Sequence, residues 1–341
     1  MSRRREMPTD CSILADARWY GSHGIGRFAQ NVISRLPQCE QLSAGPKPLS
    51  VLDPLWLAYQ IATKRPSVFF SPGFNPPALS TAPLVITIHD LAHLQLPAFA
   101  TCGRRLYYHL LVKPASNRAY RVITVSEYSR MQILKWSGLP EACVVNVGNG
   151  VDSVFRAEGP RHEPGFPYIL YVGAFRPHKN IGRLLSAFEQ INDGDLRLVL
   201  TGERTPELDA QLKSRKMENR VHFTGCVSDT QLAALYRGAI CLIQPSIIEG
   251  FGLPPLEAMA CGTPVIVSRT TALPEVVGDA AVLINPLDIA DIQNAIERTV
   301  SDSCLRKKLS HAGLLRARLF CWDGVAEKVQ RVIEEAKQGT R

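Results

Sequence analysis

Short apolar runs alternate along the chain with stretches of helical periodicity. From residue 166 the runs YILYV, LRLVL, VHF, ICLIQ, PVIVS and AAVLI are separated by helical patterns that begin near Ile181, Glu207, Asp288 and Asp302, with LAALYRGA leading into ICLIQ. Apolar runs this short, joined by crossover helices, predict a parallel sheet covered on both faces. The first half is less regular. CSILA, SVFF, LVITI, RVITV and CVVNV read as strands, and residues 25–36, 104–121 and 127–137 read as helices. CEQLSAGPKPLS reads as a loop by its Gly, Pro and Ser content, and EGPRHEPGFP reads as a linker.

The expected fold class is therefore α/β, with two Rossmann-like domains at residues 1–157 and 158–321 and a last helix within 322–341. A length of 341 residues fits two domains. Open parallel sheets bind ligands at the carboxyl ends of their strands, so two such sheets facing each other would share a cleft. At 45% hydrophobic and 21% charged residues the composition is globular. No apolar run approaches the roughly 18 residues needed to cross a bilayer. The start, MSRRREMPTD, has charge without an apolar stretch behind it, which points to the cytoplasm. Nine cysteines without a CxxC pair imply neither a disulfide framework nor a zinc site, and Cys241 and Cys261 read as small buried hydrophobes.

The net charge of +8 is unevenly spread: residues 1–160 hold 17 Lys+Arg against 10 Asp+Glu. Such a basic half points to phosphates, whether on anionic lipid, on a lipid-linked acceptor or on nucleic acid. Neither RNP-like aromatics nor a zinc finger supports nucleic acid. The segment CGRRLYYHLLVKPASNRAYR mixes Arg104, Arg105, Lys113, Arg118 and Arg121 with Tyr107 and Tyr108, a pattern that would suit the inner face of a membrane.

The densest chemistry lies in Glu249-Gly-Phe-Gly-Leu-Pro-Pro-Leu-Glu257, which follows ICLIQ and opens a helix. Gly250 and Gly252 permit close backbone approach, Phe251 and Leu253 complete the loop, and Pro254 and Pro255 suit a first helical turn. Free amides and the helix dipole favour an anion there. Two carboxylates beside an anion need hydroxyl donors, and a nucleotide sugar supplies them: the hexose for Glu249 and the ribose for Glu257. In YVGAFRPHKNIGRLL, Arg176 and Lys179 sit between a strand and a helix, where a guanidinium and an ammonium could neutralise a departing diphosphate. Asp193-Gly194-Asp195 has the spacing of a metal-binding DxD but falls where a turn is expected, so no metal is assigned to it.

With these residues in view, the C-terminal half resembles the retaining glycosyltransferases of family 4, which have the GT-B fold. EGFGLPPLE matches the family's E-x7-E element, and Arg176, Lys179 and Asn180 match its R-x-x-K-N element. The likeness takes in HFTGCVSDTQLAALYRGA, GTPVIVS and LPEVVGDAAVLI. It implies a base-contacting loop at residues 225–227, hence Val227, and a donor contact at Gly202. In the first half, GSHGIGRFAQNV resembles the family's glycine-rich loop, which places Gly24, Gly26 and Arg27 near the donor phosphate. ITIHDLAHL makes His89 the contact to the transferred sugar, and VSEYSR and VGNGVD, with Ser126, Asn149 and Asp152, follow the pattern.

IHDL, YYHLLVKP and VSEYSR together look most similar to bacterial mannosyltransferases of O-antigen and exopolysaccharide synthesis. The resemblance implies a hexosyltransferase that uses GDP-mannose, needs no metal or cofactor, and acts on a saccharide or undecaprenyl-linked acceptor. A UDP-sugar donor is the alternative. A nicotinamide dehydrogenase, suggested by the GxGxxA pattern, would need an acidic residue at the end of the next strand, where QCEQLSAGPKPLS reads as loop.

Overall fold

The computed structural model describes residues 13–95 and 102–339. Among them, strands β1 (Ile13–Asp16), β2 (Cys39–Leu42), β3 (Val68–Ser71), β4 (Leu84–Thr87), β5 (Arg121–Thr124) and β6 (Val144–Asn146) form one sheet in the order β2-β1-β3-β4-β5-β6. Strands β7 (Tyr168–Tyr171), β8 (Arg197–Leu200), β9 (Val221–Phe223), β10 (Cys241–Gln244), β11 (Val265–Ser268) and β12 (Ala281–Ile284) form a second sheet, in the order β12-β11-β10-β7-β8-β9. Every pairing within the two sheets is parallel. Strands β1, β3, β4, β7, β10 and β11 are buried along their whole length, as their mostly apolar sequences require of strands covered on both faces.

The chain divides into two units, one running through Gly150 and resuming at Trp322, the other Val151–Cys321. In the first, Leu14, Phe69, Ile86 and Val122 pack with Leu57, Ile61, Tyr108 and Ile133. In the second, Ile169, Tyr171, Leu198 and Ile243 pack with Leu184, Leu185, Phe188 and Ile296. Each such side chain fully buried adds about 1.5–3 kcal/mol of hydrophobic stabilisation. The second unit starts earlier than the linker reading at residue 158 implies. Arg237 draws the incoming chain onto it: Nη1 donates to the Arg156 carbonyl at 3.0 Å and Nε to the Pro160 carbonyl at 2.7 Å.

The last helix, Trp322–Gln338, buries Trp322, Val325, Val329, Val332 and Ile333. They lie against helix Gly24–Ile33 and strands β3, β4 and β5 of the first unit. Trp322 meets the edge of Phe28 at 6.3 Å, and Arg35 Nε donates to Asp323 at 2.7 Å.

Two expectations of the first half change, and one element is added. CEQLSAGPKPLS is not loop throughout, because its first four residues form β2, which pairs with β1 at the sheet edge. Glu40 and Gln41 are poor strand formers, tolerated because this strand is only partly buried. Residues 53–64 form an additional helix, Asp53–Lys64, which buries Leu57 and Ile61 one turn apart. The helix expected over 104–121 is instead Cys102–Tyr107, a π-helical turn Tyr108–Val112, and Lys113–Arg118, with Arg121 opening β5. Pro114 has no amide to offer the preceding turn, and the Lys113 amide reaches five residues back to the Tyr108 carbonyl. This arrangement turns Tyr108 into the core, stacked on Phe74 at 5.6 Å and edge-on to Trp136 at 5.9 Å. Tyr108 is therefore unavailable to a membrane surface, and burial pushes its hydroxyl pKa far up.

Candidate active site

Strands β7 and β10 are neighbours in the second sheet, so the loops at their carboxyl ends lie side by side. After β7 the chain turns at Gly173 (φ 147°), forms a short 3-10 turn Pro177–Lys179, and enters helix Ile181–Glu189 through Asn180 at φ 63°. After β10 it passes Glu249 and enters helix Leu253–Ala260 through Gly252 at φ 120°. A Cβ at Gly252 would stand 2.7 Å from Leu273 Cδ2, so both conformation and space demand glycine.

Lys179 Nζ donates to Glu249 Oε1 at 2.6 Å, with both side chains largely buried. Gln244 Nε2 donates to the same oxygen at 3.0 Å. The Glu249 amide donates to Thr271 Oγ1 at 3.1 Å. Burial alone pushes the Glu249 carboxyl up. The Lys179 ammonium and the hydrogen bonds from Lys179, Ser246 and Gln244 outweigh it and hold the carboxyl below its ordinary value. Sequence reasoning assigned Lys179 to the diphosphate and Glu249 to the hexose, and here each is the other's counter-charge. The unmatched cation of the loop is Arg176, exposed and without an ion pair among the described residues.

Asn180 is buried and tied to the scaffold. Its Nδ2 donates to the Pro245 carbonyl at 2.9 Å and the Pro286 carbonyl at 2.6 Å, while its Oδ1 accepts from Arg183 at 3.1 Å. In this structure it joins the loops after β7, β10 and β12. Glu257 is buried, and one of its oxygens accepts from the Tyr236 hydroxyl at 2.9 Å. Phe251 is buried edge-on to Phe320 at 5.9 Å, a packing role. Gly250 and Leu253 flank it and are partly exposed. Gly202 (φ 110°) and Gly225 (φ 65°) bridge the ends of β8 and β9, the Gly202 amide donating to the Gly225 carbonyl at 3.0 Å. Val227, two residues on, is half-buried.

The Asp193 carboxylate accepts from the amides of Asp195 and Leu196, at 3.0 and 3.1 Å, which makes it a turn residue. Among the described residues no group of three His, Cys, Asp or Glu is arranged to hold a metal.

In the first unit the loop after β1 leads into helix Gly24–Ile33. His23 caps that helix, its Nδ1 accepting from the Gly26 amide at 3.0 Å, which gives this amide a partner within the chain. A Cβ at Gly26 would fall 2.4 Å from the Gly21 carbonyl oxygen, which explains the glycine by packing. Gly24 is exposed, and Arg27 Nε donates to the Ser22 carbonyl at 3.3 Å. His89 follows β4. Its Nε2–H donates to the Pro72 carbonyl at 2.9 Å, and its ring stands edge-on to Phe28 at 5.0 Å. Burial lowers the His89 pKa, against the Pro72 carbonyl and Asp90, which raise it, and His23 lowers it further. A neutral ring with Nε2 protonated leaves the Nδ1 lone pair as an acceptor. Ser126 caps helix Glu127–Ser137, accepting from the Ser129 amide at 3.0 Å, and Asn149 is buried.

Sequence reasoning missed Gln244, Ser246, Thr271 and Tyr236, the neutral partners of the two glutamates. It also missed a buried cluster at the end of β1. There Arg18 pairs with Asp16 at 2.7 Å and Asp53 at 2.8 Å, and Asn75 donates to both carboxylates, at 2.9 and 3.0 Å. Only the DAR triplet after an apolar run hinted at it.

Comparison with known proteins agrees with this layout. Residues 17–155 match the model described as Glycosyltransferase Family 4, and residues 156–316 match Glycosyl transferases group 1. The chain is 32% identical to O-antigen chain mannosyltransferase B of Escherichia coli over 289 residues, covering 80% of this chain and 75% of that protein. Its fold is similar to that of sucrose-phosphate synthase from Thermosynechococcus elongatus (TM-score 0.78, 22% identity, 96% of this chain and 100% of that one). It is equally similar to HepE from Anabaena in complex with UDP and glucose (TM-score 0.78, 18% identity, 95% and 99%). Two parallel six-stranded sheets of the GT-B class, matched family models over both halves and a mannosyltransferase relative lead to one conclusion: the chain is a hexosyltransferase and belongs to glycosyltransferase family 4.

Proposed function

We propose that the chain transfers mannose from GDP-mannose to a saccharide acceptor, free or undecaprenyl-linked, with retention at the anomeric carbon. The observation that carries this reading is the Lys179–Glu249 pair at the carboxyl end of the second sheet, beside the unpaired Arg176 and the Gly252-capped helix. Arg176 meets the diphosphate and stabilises the charge that grows on it, with Lys179 shared between that charge and Glu249. Glu249, held ionised, accepts from a hexose hydroxyl. Glu257, fixed by Tyr236, accepts from the ribose. The neutral His89 offers Nδ1 to the transferred sugar.

In the transfer itself the anomeric carbon–oxygen bond to the diphosphate breaks, and the acceptor oxygen bonds to the same face. The acceptor proton passes to the departing phosphate oxygen. No divalent ion is assigned a part in this, because the cations at 176 and 179 carry the charge. The relative from Escherichia coli, named for mannose transfer, supports the sugar. A UDP-sugar is the second reading, favoured by the HepE structure with UDP and glucose.

Residues 104–118 contribute to membrane contact in this proposal through exposed Arg104, Arg105, Leu106, Leu110 and Arg118, while Tyr108 faces inward. Among the described residues no helix is long and apolar enough to cross a membrane.

Calorimetry with GDP, UDP and ADP in the absence of divalent metal tests the donor. Tight binding of GDP alone, weakened at least tenfold in Glu257→Gln, is expected. Preference for UDP moves the donor to the second reading, and binding that appears only with metal removes the metal-free part of the proposal.

A further inference from the structure

We propose that the second unit holds another ligand site, a pocket for a small phosphate ester, at the amino-terminal end of its sheet. A cavity of about 770 Å³ opens among the residues that precede β7, β10 and β11 and along helix Ser303–Ala317. That size falls within the roughly 300–1,000 Å³ of small-molecule pockets. Sheets of this kind bind their substrates at the opposite, carboxyl ends. The four residues of β7 alone set the two ends about 13 Å apart.

Four cations line the cavity, Arg161, Arg237, Arg306 and Lys307, against one carboxylate, Glu163, among the described lining residues. Two of the four brace its walls. Arg237 binds the Arg156 and Pro160 carbonyls, and Arg306 Nη1 donates to the Thr299 carbonyl at 2.9 Å and also to that of Val300. The other two keep their donors. Arg161 spends only Nε, on the Arg237 carbonyl at 2.7 Å, which leaves its terminal nitrogens open. Lys307 is exposed and has neither a hydrogen bond nor an ion pair among the described residues.

A solvated face normally interleaves both signs of charge. Here two braced arginines and two exposed, uncommitted cations line one hollow, which suits a phosphate group. The ring of Phe166, also in the wall and stacked on His222 at 4.8 Å, gives the organic part of an ester an apolar surface that a bare anion would not use.

Calorimetry on the full chain with two probes, inorganic pyrophosphate and glucose 6-phosphate, tests the site. The background is Arg176→Gln, which removes the exposed diphosphate contact proposed for the donor loop and leaves the Lys179–Glu249 pair intact. Glucose 6-phosphate should still bind that variant one to one. Adding Arg161→Gln and Lys307→Gln should weaken it at least tenfold, and Lys307→Arg should preserve it. The proposal is overturned if glucose 6-phosphate does not bind the donor-loop variant, if only pyrophosphate binds, or if the Arg161 and Lys307 changes leave binding untouched. None of these outcomes depends on the nucleotide results, so the two proposals fail separately.

Discussion

Lys179 and Glu249, 70 residues apart in the sequence, meet at 2.6 Å as a nearly buried ion pair. The pair leaves its loop with one uncompensated cation, Arg176, and fixes the carboxylate that the proposed chemistry needs ionised.

Lys179→Ala should lower turnover more than tenfold in a radiolabelled-mannose transfer assay, and an unchanged rate would remove the residue from the mechanism. It also strands a buried carboxylate, so stability should fall by about 3–5 kcal/mol. The pH dependence of that stability has a definite sign. Glu249 titrates lower folded than unfolded, where a glutamate sits near pH ~4.3. Its contribution is complete above that value and disappears as pH falls through the lowered folded one. Urea unfolding at stepped pH should show a steeper acid loss for wild type than for Glu249→Gln.

Tyr236→Phe removes the hydroxyl that donates to buried Glu257. A stability loss of about 1–3 kcal/mol is expected. By calorimetry, nucleotide diphosphate affinity should also fall, because the carboxylate loses its orientation. A variant that is destabilised yet binds the nucleotide like wild type would make the tyrosine purely structural.

The His89 imidazole should be neutral at pH 7 and remain so below the unfolded value of ~6.5, since burial lowers its pKa. Above that pH the group adds nothing to stability. As pH falls below it, the unfolded chain takes up the proton first and folding weakens. An NMR titration of the His89 ring proton should show no step between pH 8 and 6.5, and a midpoint at or above 6.5 contradicts the assignment.

Gly252→Ala places a methyl group 2.7 Å from Leu273 at φ 120°. Strain of about 1–3 kcal/mol should appear in denaturant unfolding. Turnover should fall with it, because Gly252 caps the helix that carries Glu257. Gly182→Ala, in open space within a helix, serves as the control and should be neutral or slightly stabilising.

The second half was the more legible because its strands are mostly apolar runs with helix starts marked by Asp288 and Asp302, each of which caps a helix in the structure. The loops bearing Arg176 and Glu249 could be placed at strand ends for the same reason. That Lys179 and Glu249 would pair could not be read, since it depends on β7 and β10 being neighbours although two strands intervene in the sequence. β2 was hidden because an edge strand needs little apolar character. Helix Asp53–Lys64 was hidden by the turn-like residues ahead of it. The partner of the Gly26 amide was likewise invisible, because nothing in GSHGIG says that the histidine ring folds back to cap the helix.

The final helix also orders events during synthesis. Trp322, Val329 and Ile333 complete the packing of helix Gly24–Ile33 and of β3 to β5, so the unit that holds those elements stays short of its own core until residues 322–338 have left the ribosome. The intervening half meets no such delay. It is free to fold first, and a ribosome stalled before residue 322 would display an unfinished amino-terminal half, with apolar surface open to chaperones.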